Sequence, residues 1–88
     1  EEIYYHKNKY ECDFLIKQGP NITQAIQVTA HLNEKNRKRE IRGLMEAIKE
    51  YDLKTGLILT MGHTETIAKE GINIQVLPVN EWILSYTM

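Results

Sequence analysis

Two short segments near the start of the chain alternate hydrophobic and polar residues, and a turn separates them. Alternation divides residues 11–16 between two faces, which carry Cys12, Phe14 and Ile16 on one side and Glu11, Asp13 and Leu15 on the other. Gly19 and Pro20 supply strong turn chemistry. A second strand is expected from Ile22 to about Ala30, so the two strands should form a hairpin. A further β-prone segment, Ile3 to Tyr5, precedes them.

The hydrophobic spacing changes to a helical period between Asn33 and Tyr51. One apolar stripe follows the i, i+3, i+4, i+7 pattern, and its members are Ile41, Leu44, Met45 and Ile48. Gly43 and Ala47 lie beside this stripe and would let the helix approach a sheet closely. Asn33 or Asn36 is expected to cap the start of the helix.

The last third of the chain predicts two strands and a closing helix. Residues 57–59 form a fully apolar run, typical of a buried strand that a crossover helix precedes. Residues 61–71 are polar, and we expect them to be irregular. A last strand alternates from Ile72 until Pro78 stops it, and Asn80 is expected to cap a helix that contains Trp82. The predicted order is β-β-β-α-β-β-α, an α/β fold with helices packed on a mixed sheet.

Length and charge restrict the functions that remain open. A chain of 88 residues has room for one domain, and its net charge of −1 gives no general attraction to nucleic acid or anionic membranes. Any basic site must therefore be local. No apolar run approaches the roughly 20 residues of a membrane span, so no membrane partner is expected. One cysteine, Cys12, indicates a cytoplasmic protein, and Glu1 in place of a methionine suggests a piece of a longer chain.

The predicted hairpin brings oxygen-bearing side chains together. If the loop centres near Pro20, Asp13 lies opposite Gln27, and Glu11 lies opposite Thr29 on the same face. Two carboxylates and an amide oxygen are suitable ligands for Mg²⁺ or Mn²⁺, which makes Asp13, Gln27 and Glu11 the candidate metal ligands. The alternative is a polar strand face that is simply solvated.

The same residues resemble the motif of a nuclease superfamily. Asp13, thirteen intervening residues and Gln27-Val28-Thr29 are similar to the D-x(n)-(D/E/Q)-x-K pattern of PD-(D/E)XK nucleases. The resemblance implies that Asp13 and Gln27 hold a metal ion, and that the third position orients or activates the attacking water. Thr29 stands where the pattern has lysine, and a hydroxyl carries no positive charge. Asp13, Gln27 and Thr29 are therefore predicted to be the vestige of a catalytic site, in a chain that is not itself catalytic.

A second resemblance covers nearly the whole chain. Its short motifs occur in one order: Tyr4-Tyr5, Glu11-Cys12-Asp13-Phe14, Ile26-Gln27-Val28, Lys38-Arg39-Glu40-Ile41, residues 56–60 and residues 76–82. Together they resemble the C-terminal domain of unknown function found in a family of bacterial and archaeal AAA-type ATPases. This implies a truncated restriction-endonuclease-like core in residues 1–88, and an ATPase region of the same longer chain as its partner. Residues 1–88 contain no Walker-type phosphate-binding loop, so no nucleotide cofactor is expected.

Basic residues cluster in the first turns of the main predicted helix. They include Arg37, Lys38, Arg39 and Arg42. Cations at this end oppose the helix dipole, so a compensating anion is expected. One candidate is the phosphate backbone of a nucleic acid, and the other is the set of neighbouring carboxylates at Glu34, Glu40 and Glu46.

Three functions follow from these patterns. The favoured one is a degenerate nuclease-like module that serves an ATPase in docking, regulation or nucleic-acid sensing. The second is an active Mg²⁺- or Mn²⁺-dependent endonuclease that uses Asp13 and Gln27. The third is a plain protein-interaction domain, and an uncovered sheet face would then favour a homodimer.

Overall fold

Six strands and two helices make up the part of the chain that the structure, a computed structural model, describes: residues 2–6 and 12–87, with side chains described for residues 12–84. The elements are β1 Glu2–His6, β2 Cys12–Gln18, β3 Asn21–Val28, α1 Arg37–Glu50, β4 Thr55–Thr60, β5 Glu65–Lys69, β6 Ile72–Pro78 and α2 Val79–Thr87. The predicted α/β class with a mixed sheet is confirmed.

All six strands belong to one sheet in the order β1-β2-β3-β4-β6-β5. β4 runs parallel to both of its neighbours, β3 and β6, while the other pairs are antiparallel. Helix α1 makes the crossover from β3 to β4, as a parallel connection requires. The three parallel strands β3, β4 and β6 therefore lie between two antiparallel margins.

The β2–β3 hairpin has the predicted register. Phe14 pairs with Ile26 and Leu15 with Ala25, which places Asp13 in line with Gln27. The loop consists of Gly19 and Pro20, and Gly19 has a φ of 62°, which glycine adopts at low cost. A positive φ followed by proline is the arrangement of a type II′ turn, whose twist suits a hairpin.

The prediction that Cys12 shares a face with Phe14 and Ile16 is wrong. Cys12 is buried in the cluster that packs under α1 with Leu15. Ile16 belongs to the cluster on the opposite face, and Phe14 lines the surface there. The β1–β2 register shifts between Tyr4 and His6, where Cys12 pairs with His6. Such an irregularity breaks the simple alternation of side chains along a strand.

The main core lies between α1 and one face of the sheet. The predicted helical stripe of Ile41, Leu44, Met45 and Ile48 is buried there, against Ile58, Ile74 and Val76 of the central strands. Burial of each large apolar side chain contributes about 1.5–3 kcal/mol. The helix begins at Arg37, with Asn36 as its N-cap residue, instead of at Asn33.

The expectation that residues 61–71 are irregular is wrong, because they contain strand β5. Glu70 and Gly71 have φ values of 50° and 79°, and this tight turn folds β5 back against β6. β5 is an edge strand, and half-buried Ile67 is its one large apolar side chain. Hydrogen bonds to β6 stabilise β5. A strand held in this way does not need a strong hydrophobic pattern, and residues 65–69 do not have one. The observed element order has one strand more than predicted.

The opposite face of the sheet carries a smaller cluster. Ile16, Ile26, Leu57 and Leu59 form it, and Val79 and Trp82 of α2 pack against it with Leu77. The helix begins at Val79, directly after β6, instead of after a cap at Asn80. Phe14 and Val28 remain 40% and 45% exposed on this face, because α2 is short and does not reach over them.

Gly56 permits the close approach of α1 to β4, which generates a stability prediction. A Cβ at this position would lie 2.6 Å from Ile48 Cδ1 and 2.9 Å from Leu44 Cδ2. Both side chains are fully buried, so they have little free space into which to move. We expect Gly56→Ala to lower the free energy of unfolding by about 1–2 kcal/mol, measured by urea denaturation. Gly62→Ala is the matched control, because its Cβ would meet nothing within 4 Å. Equal stability of the two variants would contradict this account of the helix–sheet contact.

Candidate functional site

The polar side chains singled out in the sequence meet at the carboxyl ends of the parallel strands. β3 ends at Val28 and β4 at Thr60, and α1 begins at the same edge of the sheet. Asp13 reaches this edge because β2 runs antiparallel to β3 and starts there. In open α/β sheets, this edge is the usual place for a binding site.

Asp13 and Gln27 face each other across the hairpin and exchange hydrogen bonds with its backbone. The N–H of Asp13 donates to Gln27 Oε1 at 2.8 Å, and the N–H of Val28 donates to Asp13 Oδ2 at 2.8 Å. The carboxylate and the amide oxygen therefore extend the β2–β3 pairing beyond Phe14 and Ile26. This is a structural use of the same oxygens that the sequence proposed as metal ligands.

Gln27 also joins the hairpin to the helix. Its Nε2 donates to the backbone oxygen of Glu40 at 3.3 Å, and only 3% of the residue is exposed. A buried amide needs partners for both its oxygen and its nitrogen, and Gln27 has them. The alternative of a solvated polar strand face does not hold for Gln27, because α1 covers it.

Thr29, which stands at the lysine position of the nuclease motif, is engaged in the loop that follows β3. Its hydroxyl donates to the backbone oxygen of His31 at 3.1 Å and accepts from Asn36 Nδ2 at 3.3 Å. The Asn36 amide also donates to the His31 oxygen at 2.7 Å. The hydroxyl thus shapes the entry into α1 and supplies no cation to the site.

The two asparagines act differently from the caps expected of them. Asn36 makes no side-chain cap bond, and its Oδ1 instead accepts the N–H of Asn33 at 2.9 Å. Asn33 Oδ1 accepts the N–H groups of Lys35 at 2.9 Å and Asn36 at 3.1 Å. These bonds form a compact turn before the helix and hold its first residues beside Asp13 and Gln27.

Glu40 is the residue of this site that the sequence motif missed. Its side chain is 13% exposed. The pKa of its carboxyl is raised, first by burial and then by the negative charge of Asp13, while Arg39 works against this. The nuclease motif concerns the strands, so it could not include a helix residue. The sequence did contain one signal for Glu40. It lies directly before Ile41, a member of the apolar stripe of the helix.

The candidate metal ligands are only partly brought together. Asp13 and Gln27 are adjacent, Glu40 lies near them, and Glu11 falls outside the described residues. Within the part of the chain that the structure describes, no group of three or more His, Cys, Asp and Glu side chains is arranged to hold a metal ion. The oxygens of Asp13, Gln27 and Glu40 are chemically suited to Mg²⁺ or Mn²⁺. One oxygen of Asp13 and that of Gln27 already accept backbone hydrogen bonds.

The four basic residues of the predicted nucleic-acid site separate into three environments. Arg37 forms a two-pronged ion pair with Glu65 at the start of β5, and its Nη1 lies 3.0 Å from Glu65 Oε1. Arg39 is largely exposed and reaches Glu40 at 3.4 Å. Lys38 and Arg42 lie on the side of α1 that faces Lys69 at the end of β5. The set therefore does not act as one patch.

Lys38 and Arg42 line a groove between α1 and the edge of the sheet at β5. The groove encloses about 330 Å³, and its charged lining residues are Lys38, Arg42, Glu46, Lys49, Lys69 and Glu70. Lys49 and Glu70 form an ion pair at 3.0 Å across it. The lining thus has four cations and two carboxylates. A local excess of positive charge exists although the whole chain is slightly acidic.

Comparison with known proteins gives one informative match. An uncharacterized protein of Methanocaldococcus jannaschii, MJ1544, is 37% identical to this chain over 93 aligned residues. The alignment covers 98% of this chain and 21% of the relative, so the chain spans about a fifth of the relative's length. No family model matches the chain. No solved structure matches it either.

The described helices give no sign of a membrane segment. In residues 2–6 and 12–87, no helix is both long and apolar enough to cross a bilayer.

The Arg37–Glu65 pair generates a pH prediction. Glu65 accepts hydrogen bonds from Arg37 and contacts His63 Nε2 at 2.8 Å, and these partners lower its pKa from 4.5 to about 2. A lowered folded-state pKa stabilises the protein above the unfolded value, and the gain is lost as pH falls from 4.5 toward 2. We expect Glu65→Gln to be less stable than wild type at neutral pH, with the difference disappearing in that acid range. Urea denaturation across pH measures it.

The control for this prediction is Glu34→Gln, which removes an exposed carboxylate from the loop before α1. It should leave the pH profile of the unfolding free energy close to that of wild type. A Glu65→Gln profile parallel to the wild-type profile would contradict the assignment of this ion pair.

Proposed function

We propose that this chain is a degenerate nuclease-like accessory domain that contacts nucleic acid and does not cut it. The groove between α1 and β5, which brings Lys38, Arg42, Lys49 and Lys69 together, is the observation that carries the proposal. We further propose that the domain serves an AAA-type ATPase region of a longer cytoplasmic protein. The match to about a fifth of a longer relative is in keeping with this role.

The hydrogen bonds of the vestigial site support a role without catalysis. Asp13 and Gln27 bind the hairpin backbone, and Thr29 binds the loop before α1. A nuclease of the resembled type needs a cation at the third position to act on the attacking water, and a threonine hydroxyl is no substitute. These side chains therefore stabilise the fold.

The spacing of the groove's cations suits a phosphate backbone. Lys38, Arg42 and Lys49 follow one side of α1, and the outer two are eleven residues apart, about 16 Å along the helix axis. Lys69 faces them from β5. An extended row of lysine and arginine can neutralise several phosphates in succession, and such binding depends on salt through the release of counterions.

The test is the affinity for a short DNA duplex and a single strand, measured by fluorescence anisotropy over a range of salt concentrations. We expect wild type to bind both, with an affinity that falls steeply as salt rises. The double variant Lys38→Ala/Arg42→Ala should bind more weakly, and the slope of log K against log salt should be smaller by about 1–2. The loss reflects one phosphate contact for each removed cation.

Lys54→Ala is the matched control, because it removes an exposed cation from the turn between α1 and β4, away from the groove. It should bind like wild type. The proposal fails if wild type shows no salt-dependent binding, or if the double variant and the control bind equally well.

A second candidate is an active Mg²⁺- or Mn²⁺-dependent endonuclease. The observation that favours it is Glu40, whose carboxylate lies close enough to Asp13 for the two charges to interact. With Gln27, these residues would offer three oxygen-bearing side chains to one cation.

Mn²⁺ titration calorimetry separates the two candidates. The accessory role predicts no saturable binding by wild type, Asp13→Ala or Glu40→Gln, and no cleavage of DNA or RNA by any of them. Saturable binding by wild type that both variants lose, with metal-dependent cleavage, would replace our proposal with the endonuclease. Glu34→Gln again serves as the control, since its carboxylate is exposed in the loop before α1.

A further inference from the structure

The sheet face opposite α1 is divided into an apolar half and a polar half. Toward the carboxyl ends of β4 and β6, Leu57, Leu59 and Leu77 lie on this face, where α2 packs. Toward the amino ends, the same face carries Thr55, Asn73 and Gln75. Central parallel strands are usually apolar on both faces, and asparagine is disfavoured in strands. The polar half therefore departs from what packing and propensity favour.

This polar half forms the floor of an open groove. The groove encloses about 450 Å³ and is lined by Gln24, Thr55, Asn73 and Gln75 on the strands, with Leu77 and Trp82 among its apolar residues. The described residues that line it are all uncharged. Its volume falls in the range of about 300–1,000 Å³ that is usual for small-molecule sites.

The amide groups in the groove have hydrogen-bonding capacity to spare. Gln75 Oε1 accepts from Thr66 Oγ1 at 3.3 Å, an interaction that leaves the amide N–H donors of Gln75 for other partners. The side chains of Gln24 and Asn73 make no hydrogen bond to other described residues. The groove thus presents the amide donors and acceptors of three side chains, Gln24, Asn73 and Gln75. The indole of Trp82 and the side chain of Leu77 lie beside them.

We propose that this groove binds a nucleobase. A base edge alternates hydrogen-bond donors and acceptors, and asparagine and glutamine match such an edge with two bonds at once. The face of a base is apolar and packs against aromatic and aliphatic side chains. A lining without charge offers nothing to a free phosphate or a carboxylate, so the selected group is neutral. The base can belong to a free nucleoside or to a single-stranded nucleic acid.

The groove is independent of the cationic groove between α1 and β5. α1 lies on one face of the sheet, and Trp82 packs on the other. Base binding here can therefore succeed or fail separately from phosphate binding, and variants in each groove distinguish the two.

The chain contains a single tryptophan, and that residue lines the groove, which provides a direct readout. Trp82 fluorescence, excited at the red edge of its absorption, is titrated with adenosine, with uridine and with short single-stranded DNA. Ribose 5-phosphate, which lacks a base, is the negative probe. We expect a saturable change with at least one nucleoside and none with ribose 5-phosphate.

The variants Asn73→Ala and Gln75→Ala should each weaken nucleoside binding by roughly 5- to 100-fold, since each removes a paired contact to a base edge. Glu34→Gln, which removes an exposed carboxylate from the loop before α1, is the control and should leave nucleoside binding unchanged. Thermal unfolding should show wild-type stability for Asn73→Ala, whose side chain is exposed, so that weaker binding reports a lost contact.

If single-stranded DNA binds, and Asn73→Ala weakens that binding as it weakens nucleoside binding, the base belongs to a nucleic-acid strand. A response to nucleoside alone identifies a free nucleoside. The proposal is overturned if neither nucleoside changes the Trp82 signal, or if the change persists undiminished in both Asn73→Ala and Gln75→Ala.

Discussion

The buried amide of Gln27 is the connection on which the carboxyl edge of the sheet depends. Its oxygen accepts from β2 at Asp13, and its nitrogen donates to α1 at Glu40. One side chain on β3 thus joins the neighbouring strand to the covering helix. An unsatisfied buried amide group costs about 1–3 kcal/mol, and these two bonds offset that cost for Gln27 at 3% exposure. The helix cannot slide along the sheet without losing one of them.

This connection gives Asp13 and Gln27 a structural role that needs no catalytic chemistry. Asp13 and Gln27 keep the spacing of the resembled motif because each satisfies a backbone group of the hairpin. The hydroxyl of Thr29 organises the loop that leads into α1. Stability alone is then a sufficient reason for these residue types at these positions.

Local chemistry made part of the fold predictable. Gly19 and Pro20 specify a tight turn and so predict the hairpin. The meeting of Asp13 with Gln27 also requires the register shift between Ile16 and Lys17. The stripe from Ile41 to Ile48 predicts both the helix and its buried side. These features depend on contacts that are near in sequence, or on periodicity within one element, so a single sequence contains the necessary information.

The features that sequence reasoning missed depend on partners distant in the chain. Strand β5 exists through its pairing with β6, and Cys12 changes face where β1 and β2 shift register. Glu40 joins the candidate site only because α1 docks over the hairpin. No local pattern reports such contacts.

The basic residues at the start of α1 show how the fold distributes charge that the sequence presents as one cluster. Arg37 is neutralised by Glu65, a residue 28 positions away that β5 brings within reach. The expected cost of cations at a helix N-terminus is therefore offset within the protein for Arg37. The remaining cations face outward on two sides of the helix, and those on the side of β5 meet Lys69 across a groove. Strand β5 carries both Glu65 and Lys69. Glu65 neutralises Arg37 of the basic cluster, and Lys69 adds a positive charge to the surface of the groove. A chain of net charge −1 can in this way present a local cationic surface, and that surface exists only once the edge strand is in place.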